Sequence, residues 1–391
     1  MIKYIQDGIR NNLRSIIREL TTPQQKAVQE MVRDLFIEGK PILAHLGQNK
    51  EISAKKQSEK YSRHLNNIDL VNTVHQFALR KAKQHVRKQT IIAYDLTDIS
   101  KPSAKKLEKL RRVLDGSKRQ VTNGFDLHGV GINGILTQFE VHDDEIYTRN
   151  QVRKRIIQNI SQKLDHKGIW VFDRGNDDKK LFMDLRQELN IEFIARLKKN
   201  RQVVLKKTGE KIRVDQLSPG KYEIYLMDKN NYRVNSIHTF SLIIHKHLEN
   251  KGPIRLLSSL AIGKFTAEQF VTMYLERWGV ENLYRRVKTK FDLEKIRVMN
   301  YKRFTNLVAL IQFVMVVSTL IFYKVQQATN TLTVCLLALY KQFLRLKTLT
   351  INIDSFISFI RDNLEPIEFR KPPPKQLCLF SKRQVGKMGM I

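Results

Sequence analysis

Four side chains with reactive or charged groups recur at helical spacing late in the chain. Tyr274, Arg277, Glu281 and Lys288 lie at offsets of 0, 3, 7 and 14 residues. At ~100° per residue, all four leave a helix within one arc of ~60°. A carboxylate can bind a hard metal ion, and the two cations can bind phosphate oxygens. The row therefore suggests a phosphate and metal site, with a solvated, ion-paired helix face as the alternative.

Two aspartates directly follow apolar runs that predict buried strands. Asp95 lies in the run 90–97 (TIIAYDLT), and Asp173 follows the run 168–172 (GIWVF). Taken singly, each is typical of a surface acid that ends a strand. Together with Glu281 they are three acids on separate predicted elements.

These motifs resemble those of a known family. The spacing Y-x2-R-x3-E-x6-K, present here as YLERWGVENLYRRVK, is similar to the YREK signature of bacterial insertion-sequence DDE transposases of the family-four type. Asp95 to Thr97 matches the family's D-x-T, and Asp173 to Gly175 matches its second aspartate followed by Arg-Gly. The likeness covers roughly residues 90–330, with 107 residues between Asp173 and Glu281.

The resemblance implies a role for each matched residue. Asp95, Asp173 and Glu281 would be catalytic and would bind two Mg²⁺ ions, with Mn²⁺ as a substitute. Tyr274, Arg277 and Lys288 would hold the phosphates of the DNA end.

Some neighbouring acids are rivals for these roles. Asp98 competes with Asp95, but the D-x-T match favours Asp95. Asp177 and Asp178 compete with Asp173, although both are typical of acids at a helix N-terminus.

The elements that must position these residues can be predicted from periodicity and turn signals. Residues 1–89 read as helical and basic, with 17 Lys and Arg against 8 Asp and Glu. Three strands, then alternating helices and strands, follow to residue 197, which predicts a mixed sheet covered by helices. We expect a β insertion at about 201–262 and a single long helix over 266–290. Residues 307–323 are uncharged and predict a buried core helix.

Composition limits the partners and the chemistry. The 391 residues contain 70 Lys and Arg against 38 Asp and Glu, a net charge of +32. This charge favours a polyanionic partner, first nucleic acid and second an anionic membrane surface. Two cysteines exclude a disulfide framework and a zinc cluster. There is no hydrolase, zinc-protease or Walker motif, and His128 and His142 are expected to be surface or core residues.

The sequence thus predicts an α/β protein with an RNase H-like mixed-sheet catalytic domain. The predicted organisation comprises a helical DNA-binding domain (1–89), a catalytic domain (90–330), C-terminal helices (331–365) and a disordered basic tail (366–391). The implied function is cut-and-paste transposition of an insertion sequence, acting on its inverted-repeat ends and target DNA. We expect a dimer on DNA, no membrane association and a bacterial cytoplasmic, nucleoid-associated location. The alternative is a catalytically inactive, transposase-derived DNA-binding protein.

The chain departs from part of the family in its aromatic residues. Some relatives stabilise a flipped base with a tryptophan in the β insertion, whereas Trp170 and Trp278 both lie outside it. The stacking residues available there are aromatic side chains of another type: Tyr222, Tyr225, Tyr232 and Phe240. The formation of a hairpin intermediate is therefore left open.

Overall fold

The computed structural model describes residues 2–46, 52–116, 118–227, 238–246, 252–339 and 352–363. Within them the helices are α1 (Ile2–Ile17), α2 (Thr22–Glu38), α3 (Ala54–Asn67), α4 (Val71–Lys83), α5 (Arg149–Lys163), α6 (Lys179–Met183), α7 (Ala267–Leu275), α8 (Trp278–Phe291), α9 (Tyr301–Leu339) and α10 (Ile353–Asn363). The strands are β1 (Ile91–Ser100), β2 (Arg111–Asp115), β3 (Gln120–Ile132), β4 (Ile135–Val141), β5 (Ile169–Phe172), β6 (Phe193–Arg196), β7 (Gln202–Leu205), β8 (Lys211–Arg213), β9 (Gly220–Leu226), β10 (Phe240–His245) and β11 (Ile254–Ser258).

The described strands form one mixed sheet. Its order is β2-β3-β1-β5-β6-β11-β10-β9-β7-β8, with β4 also paired to β3. The three central strands β1, β5 and β6 run parallel, and β3 is antiparallel to β1. Their residues are β-branched and aromatic runs, and β5 is buried at every position, as expected for a parallel strand covered on both faces.

The predicted β insertion forms strands where the sequence indicates them. Strands β7 to β10 lie within 201–262, and β11 connects them to the central sheet by pairing antiparallel to β6. The insertion therefore extends the same sheet rather than forming a second one.

The N-terminal helices share the core of the sheet domain. Helices α1 to α4 pack against α9, and α4 also packs against β4. Asn306 of α9 stabilises this contact. Its side-chain NH2 group donates to the carbonyls of Leu65 and Ile68, and its side-chain oxygen accepts from the backbone amide of Leu70.

Helix α9 contains the uncharged segment of the sequence. Its part Tyr301–Ala328 is long and apolar enough to cross a membrane by length and composition, and 89% of its most apolar window is buried inside the protein. Several buried polar side chains of this helix donate to backbone carbonyls. Gln312, for example, donates to the carbonyl of Leu136 in β4. This environment is that of the core helix predicted from the sequence.

The prediction of a single helix over 266–290 is wrong, because the structure has two helices there. The chain leaves the α-helix at Glu276 and Arg277, so α7 and α8 are separate. At this turn the amide of Gly279 bonds to the carbonyl of Glu276, and Val280 bonds to Arg277, which are the shorter i to i+3 bonds of a 3₁₀ turn. Gly279 lowers the cost of leaving the α-helix here because glycine is a poor helix former.

Candidate active site

The first two predicted acids follow residues that pair in adjacent parallel strands. Tyr94 of β1 lies opposite Phe172, the last residue of β5. Asp95 follows Tyr94 within β1, which continues to Ser100, and Asp173 is the first residue after β5. Neighbouring strands lie about 4.8 Å apart. The register therefore brings these two residues next to each other, and the negative charge of Asp173 acts on Asp95.

Helix α8 approaches the sheet closely over β1 and β3. Gly129 and Gly131 are on the face of β3 beneath this helix, and a Cβ atom at Gly129 would lie 2.1 Å from the hydroxyl oxygen of Tyr284. That hydroxyl donates to the backbone carbonyl of Asp95 at 2.7 Å. Because Gly129 and Gly131 have no side chains, α8 lies close enough to the sheet to position Glu281 beside β1.

Arg277 connects two of the predicted catalytic residues. One guanidinium nitrogen lies 3.1 Å from Oδ2 of Asp95, and the other lies 2.6 Å from Oε1 of Glu281. The Arg277 side chain is only 9% exposed, and its guanidinium carbon lies 5.8 Å from the centre of the Tyr274 ring. The guanidinium therefore sits between the two carboxylates in a largely buried position.

Among the three predicted catalytic acids, Asp95 has a raised pKa. Burial and then the negative charge of Asp173 raise the pKa of Asp95 to about 7, although the charge of Arg277 and the Leu96 amide act in the opposite direction. Glu281 adds a smaller contribution that raises the pKa further. A buried carboxylate next to two others is a site at which a bound cation would be stabilised.

Asp173 is oriented by the turn that follows it. Its Oδ1 accepts from the backbone amide and the side-chain amide of Asn176, at 3.2 and 2.5 Å. Asn176 is in turn held by Arg153 of α5 at 2.7 Å. The turn begins at Arg174 and Gly175, the two residues that the sequence motif places after the aspartate.

Comparison with known proteins assigns this part of the chain. A family model described as a transposase DDE domain matches residues 86–317, which is more than half of the chain. The chain belongs to this DDE transposase family. The matched region contains Asp95, Asp173 and Glu281.

Two further comparisons add little to this assignment. No curated protein matches this DDE transposase. Among solved structures it is similar to a piggyBac transposase in a synaptic complex with hairpin DNA, at 12% identity and a TM-score of 0.47, over 99% of this chain and 86% of that one.

The rival acids of the transposase have other partners. Asp177 is buried in an ion pair with Arg201 and also accepts from the amide of Lys198 at 2.8 Å. Asp178 caps α6, since its carboxylate accepts from the amide of Lys180. Asp98 pairs with Lys288 at 3.4 Å and accepts from Ser100. These contacts account for each rival without a catalytic role.

The residues expected to hold DNA phosphates contact the protein itself. Tyr274 is buried, Arg277 bridges two carboxylates, and Lys288 contacts Asp98. Their binding to DNA stays a prediction, and it requires each of these side chains to become accessible.

A metal site is only partly assembled by these side chains. Three carboxylates are a donor set that suits Mg²⁺ or Mn²⁺. Over the described ranges, however, no three His, Cys, Asp or Glu side chains lie close enough together to hold an ion. Asp95 and Asp173 fit such a group by chemistry and position, whereas Glu281 is held by Arg277.

Sequence reasoning missed the roles of Gly129 and Tyr284. The pattern H-G-V-G in β3 places two glycines on one face of a strand, and this is a signal for a close approach of another element. The identity of that element, α8, follows only from the fold.

The two histidines predicted to be surface or core residues are in the core. His128 receives or donates a hydrogen bond with the hydroxyl of Tyr94 at 2.7 Å, and its other nitrogen lies 3.2 Å from His142. Because Tyr94 alternates with Asp95 along β1, this chain of hydrogen bonds lies on the opposite face of the sheet.

Proposed function

We propose that this DDE transposase catalyses cut-and-paste transposition of an insertion sequence by metal-dependent phosphodiester hydrolysis and strand transfer. The observation that carries the proposal is the placement of Asp95 in β1 and of Asp173 directly after the adjacent parallel strand β5, with the helix that bears Glu281 packed on β1. All three lie within the matched transposase domain.

The proposal assigns the metal to these carboxylates. Asp95, Asp173 and Glu281 would hold two Mg²⁺ ions, or Mn²⁺ as a substitute. When bound, the ions would activate the attacking oxygen and stabilise the leaving oxygen. Asp173 is prepared for this role because Asn176 fixes its orientation.

The remaining residues of the proposed site bind and orient DNA. Arg277 and Lys288 would contact backbone phosphates, with the planar guanidinium suited to two phosphate oxygens. Tyr274 would complete the same surface. Inverted-repeat ends and target DNA are the proposed partners, and a dimer would hold two ends together.

The domain assignment belongs to the same proposal. The core strands and their helices would form an RNase H-like catalytic domain, the strands in 201–262 an inserted β subdomain, and 1–89 a helical DNA-binding domain. The predicted C-terminal helices fall partly, and the predicted tail (366–391) wholly, outside the described residues.

A second candidate function is a catalytically inactive DNA-binding protein. The observation that favours it is the ion pair of Arg277 with Asp95 and Glu281, which occupies oxygens that a metal would need. The presence of all three carboxylates favours the active enzyme.

A single-turnover cleavage assay separates these functions. The full chain is mixed with a duplex carrying the inverted repeat that flanks its own coding sequence, with Mg²⁺ or with EDTA. The active enzyme would nick the repeat boundary and join the freed 3′ end to a second duplex only with Mg²⁺. Binding to the repeat without cleavage under either condition would instead support the inactive protein.

A further inference from the structure

Arg277 pairs with two of the proposed catalytic carboxylates and therefore competes with a metal ion for them. Its guanidinium binds Oδ2 of Asp95 at 3.1 Å and Oε1 of Glu281 at 2.6 Å. Both oxygens are ligands that the proposed function requires for divalent ions. A guanidinium and a metal ion also repel each other, so each arrangement weakens the other.

We propose that Arg277 is a positioning residue that holds Asp95 and Glu281 together without metal and releases them when a DNA phosphate binds its guanidinium. This inference rests on the proposed function. It makes metal binding dependent on DNA, because the phosphate takes the cation away from the carboxylates.

The local structure supports an exchange of partners. The Nε of Arg277 is buried and has no hydrogen-bond partner among the described residues. A buried donor without a partner is costly, and a phosphate has enough acceptor oxygens to satisfy it together with a terminal nitrogen. The present arrangement therefore leaves a group that a phosphate would satisfy better.

The backbone at Arg277 is also suited to the exchange. The residue lies in the turn between α7 and α8, where the bonds from Arg277 to Tyr274 and from Val280 to Arg277 span only three residues. Neither of these two bonds belongs to the regular i to i+4 bonding of α8.

Mn²⁺ binding to the DNA-free full chain tests the inference directly. Free Mn²⁺ is measured by electron paramagnetic resonance during titration of the wild type and of Arg277→Gln. Removing the cation should tighten Mn²⁺ binding by about tenfold, which corresponds to ~1.4 kcal/mol. Adding duplex DNA should tighten binding to the wild type but should have much less effect on Arg277→Gln.

A matched control is available on α8, the helix that follows Arg277. Arg286 is also partly buried, and its Nε pairs with Asp354 of α10 at 2.8 Å, away from the catalytic carboxylates. Arg286→Gln should leave Mn²⁺ affinity at the wild-type value. Arg277→Lys keeps the charge but lacks the fork that spans two carboxylates, so its affinity should fall between those of the wild type and Arg277→Gln.

The outcomes separate this inference from the proposed function. Equal or weaker Mn²⁺ binding by folded Arg277→Gln, with the wild type binding Mn²⁺, overturns the inference alone. If Arg277→Gln does not fold, Arg277→Lys decides, and an affinity no higher than that of the wild type overturns it. No Mn²⁺ binding by any variant, with or without DNA, contradicts both.

Discussion

At the scale of single residues, the site is defined by charges whose partners come from distant parts of the chain. The sequence motif placed Arg277 and Glu281 on one helix face, and the structure places the Arg277 guanidinium between Asp95 and Glu281. The motif assigned Arg277 to DNA phosphate, whereas the guanidinium contacts Asp95, 182 residues earlier in the sequence. Spacing along one helix shows which side chains share a face, but the group opposite that face depends on tertiary structure.

The buried His128, on the side of the sheet opposite Asp95, makes the stability of the protein depend on pH. Burial, and then the neighbouring charges of His142 and Arg153, lower the pKa of His128 to about 3. The unfolded chain takes up this proton near pH 6.5 and the folded chain does not, so stability is lost as the pH falls below about 6.5. Between pH 7 and pH 5 the contribution is about 2 kcal/mol.

The expected result is a weaker acid sensitivity in His128→Gln. Urea unfolding at pH 7 and pH 5 should show a smaller loss of stability for this variant than for the wild type. His166→Gln, at an exposed position, should behave as the wild type does. An equal loss in His128→Gln and the wild type would show that His128 is protonated in the folded protein.

At the scale of elements, the site depends on how closely α8 lies on the sheet. Strands β1 and β5 were predictable because each begins with a short apolar run that precedes an acid, although β1 continues beyond Asp95 to Ser100. The separation of α7 from α8 was not, because periodicity continues across the turn and only Gly279 marks it. The pairing of β11 with β6 also depends on contacts between distant segments.

Alanine substitutions at two glycines are expected to change the stability of the protein in opposite directions. Gly129→Ala would place a methyl group 2.1 Å from the Tyr284 hydroxyl, so we expect a loss of ~1–3 kcal/mol from overpacking. Gly279→Ala meets nothing within 4 Å and lies in a helix, so we expect a gain of up to ~1 kcal/mol. Chemical denaturation measures both changes, and a neutral Gly129→Ala would mean that α8 does not lie against β3 as described.

At the scale of the whole molecule, the net charge predicts the kind of partner, whereas the packing of the core is not predictable from the sequence. The net charge of +32 predicted a polyanionic partner, and the family assignment agrees with a protein that acts on DNA. Composition also placed a helical region before the sheet, which the structure shows as α1 to α4. It did not show that these helices pack on α9, because amphipathic faces do not identify their partners.

Asn306 tests how firmly the N-terminal helices are joined to the rest. Asn306→Ala would leave one amide and two carbonyls between α3 and α4 without their partners, all in a buried environment. We expect a loss of ~2–4 kcal/mol in urea unfolding, in a single transition. Thr305→Ala, at the half-buried neighbouring position, removes only a hydroxyl that donates to the carbonyl of Lys302 and should change stability little. Two separate transitions in the wild type would instead show that the N-terminal helices unfold independently.

The most direct test of the account is metal-dependent cleavage by variants of Asp95 in β1 and of Asp173 after β5. Asp95→Asn and Asp173→Asn are compared with Asp178→Asn in single-turnover cleavage of the inverted-repeat duplex with Mg²⁺. Asp178→Asn is the matched control because asparagine also caps a helix. The account predicts that the first two variants bind DNA and fold but cleave only at background, while Asp178→Asn cleaves at the wild-type rate. Normal Mg²⁺-dependent cleavage by Asp95→Asn or Asp173→Asn would contradict it.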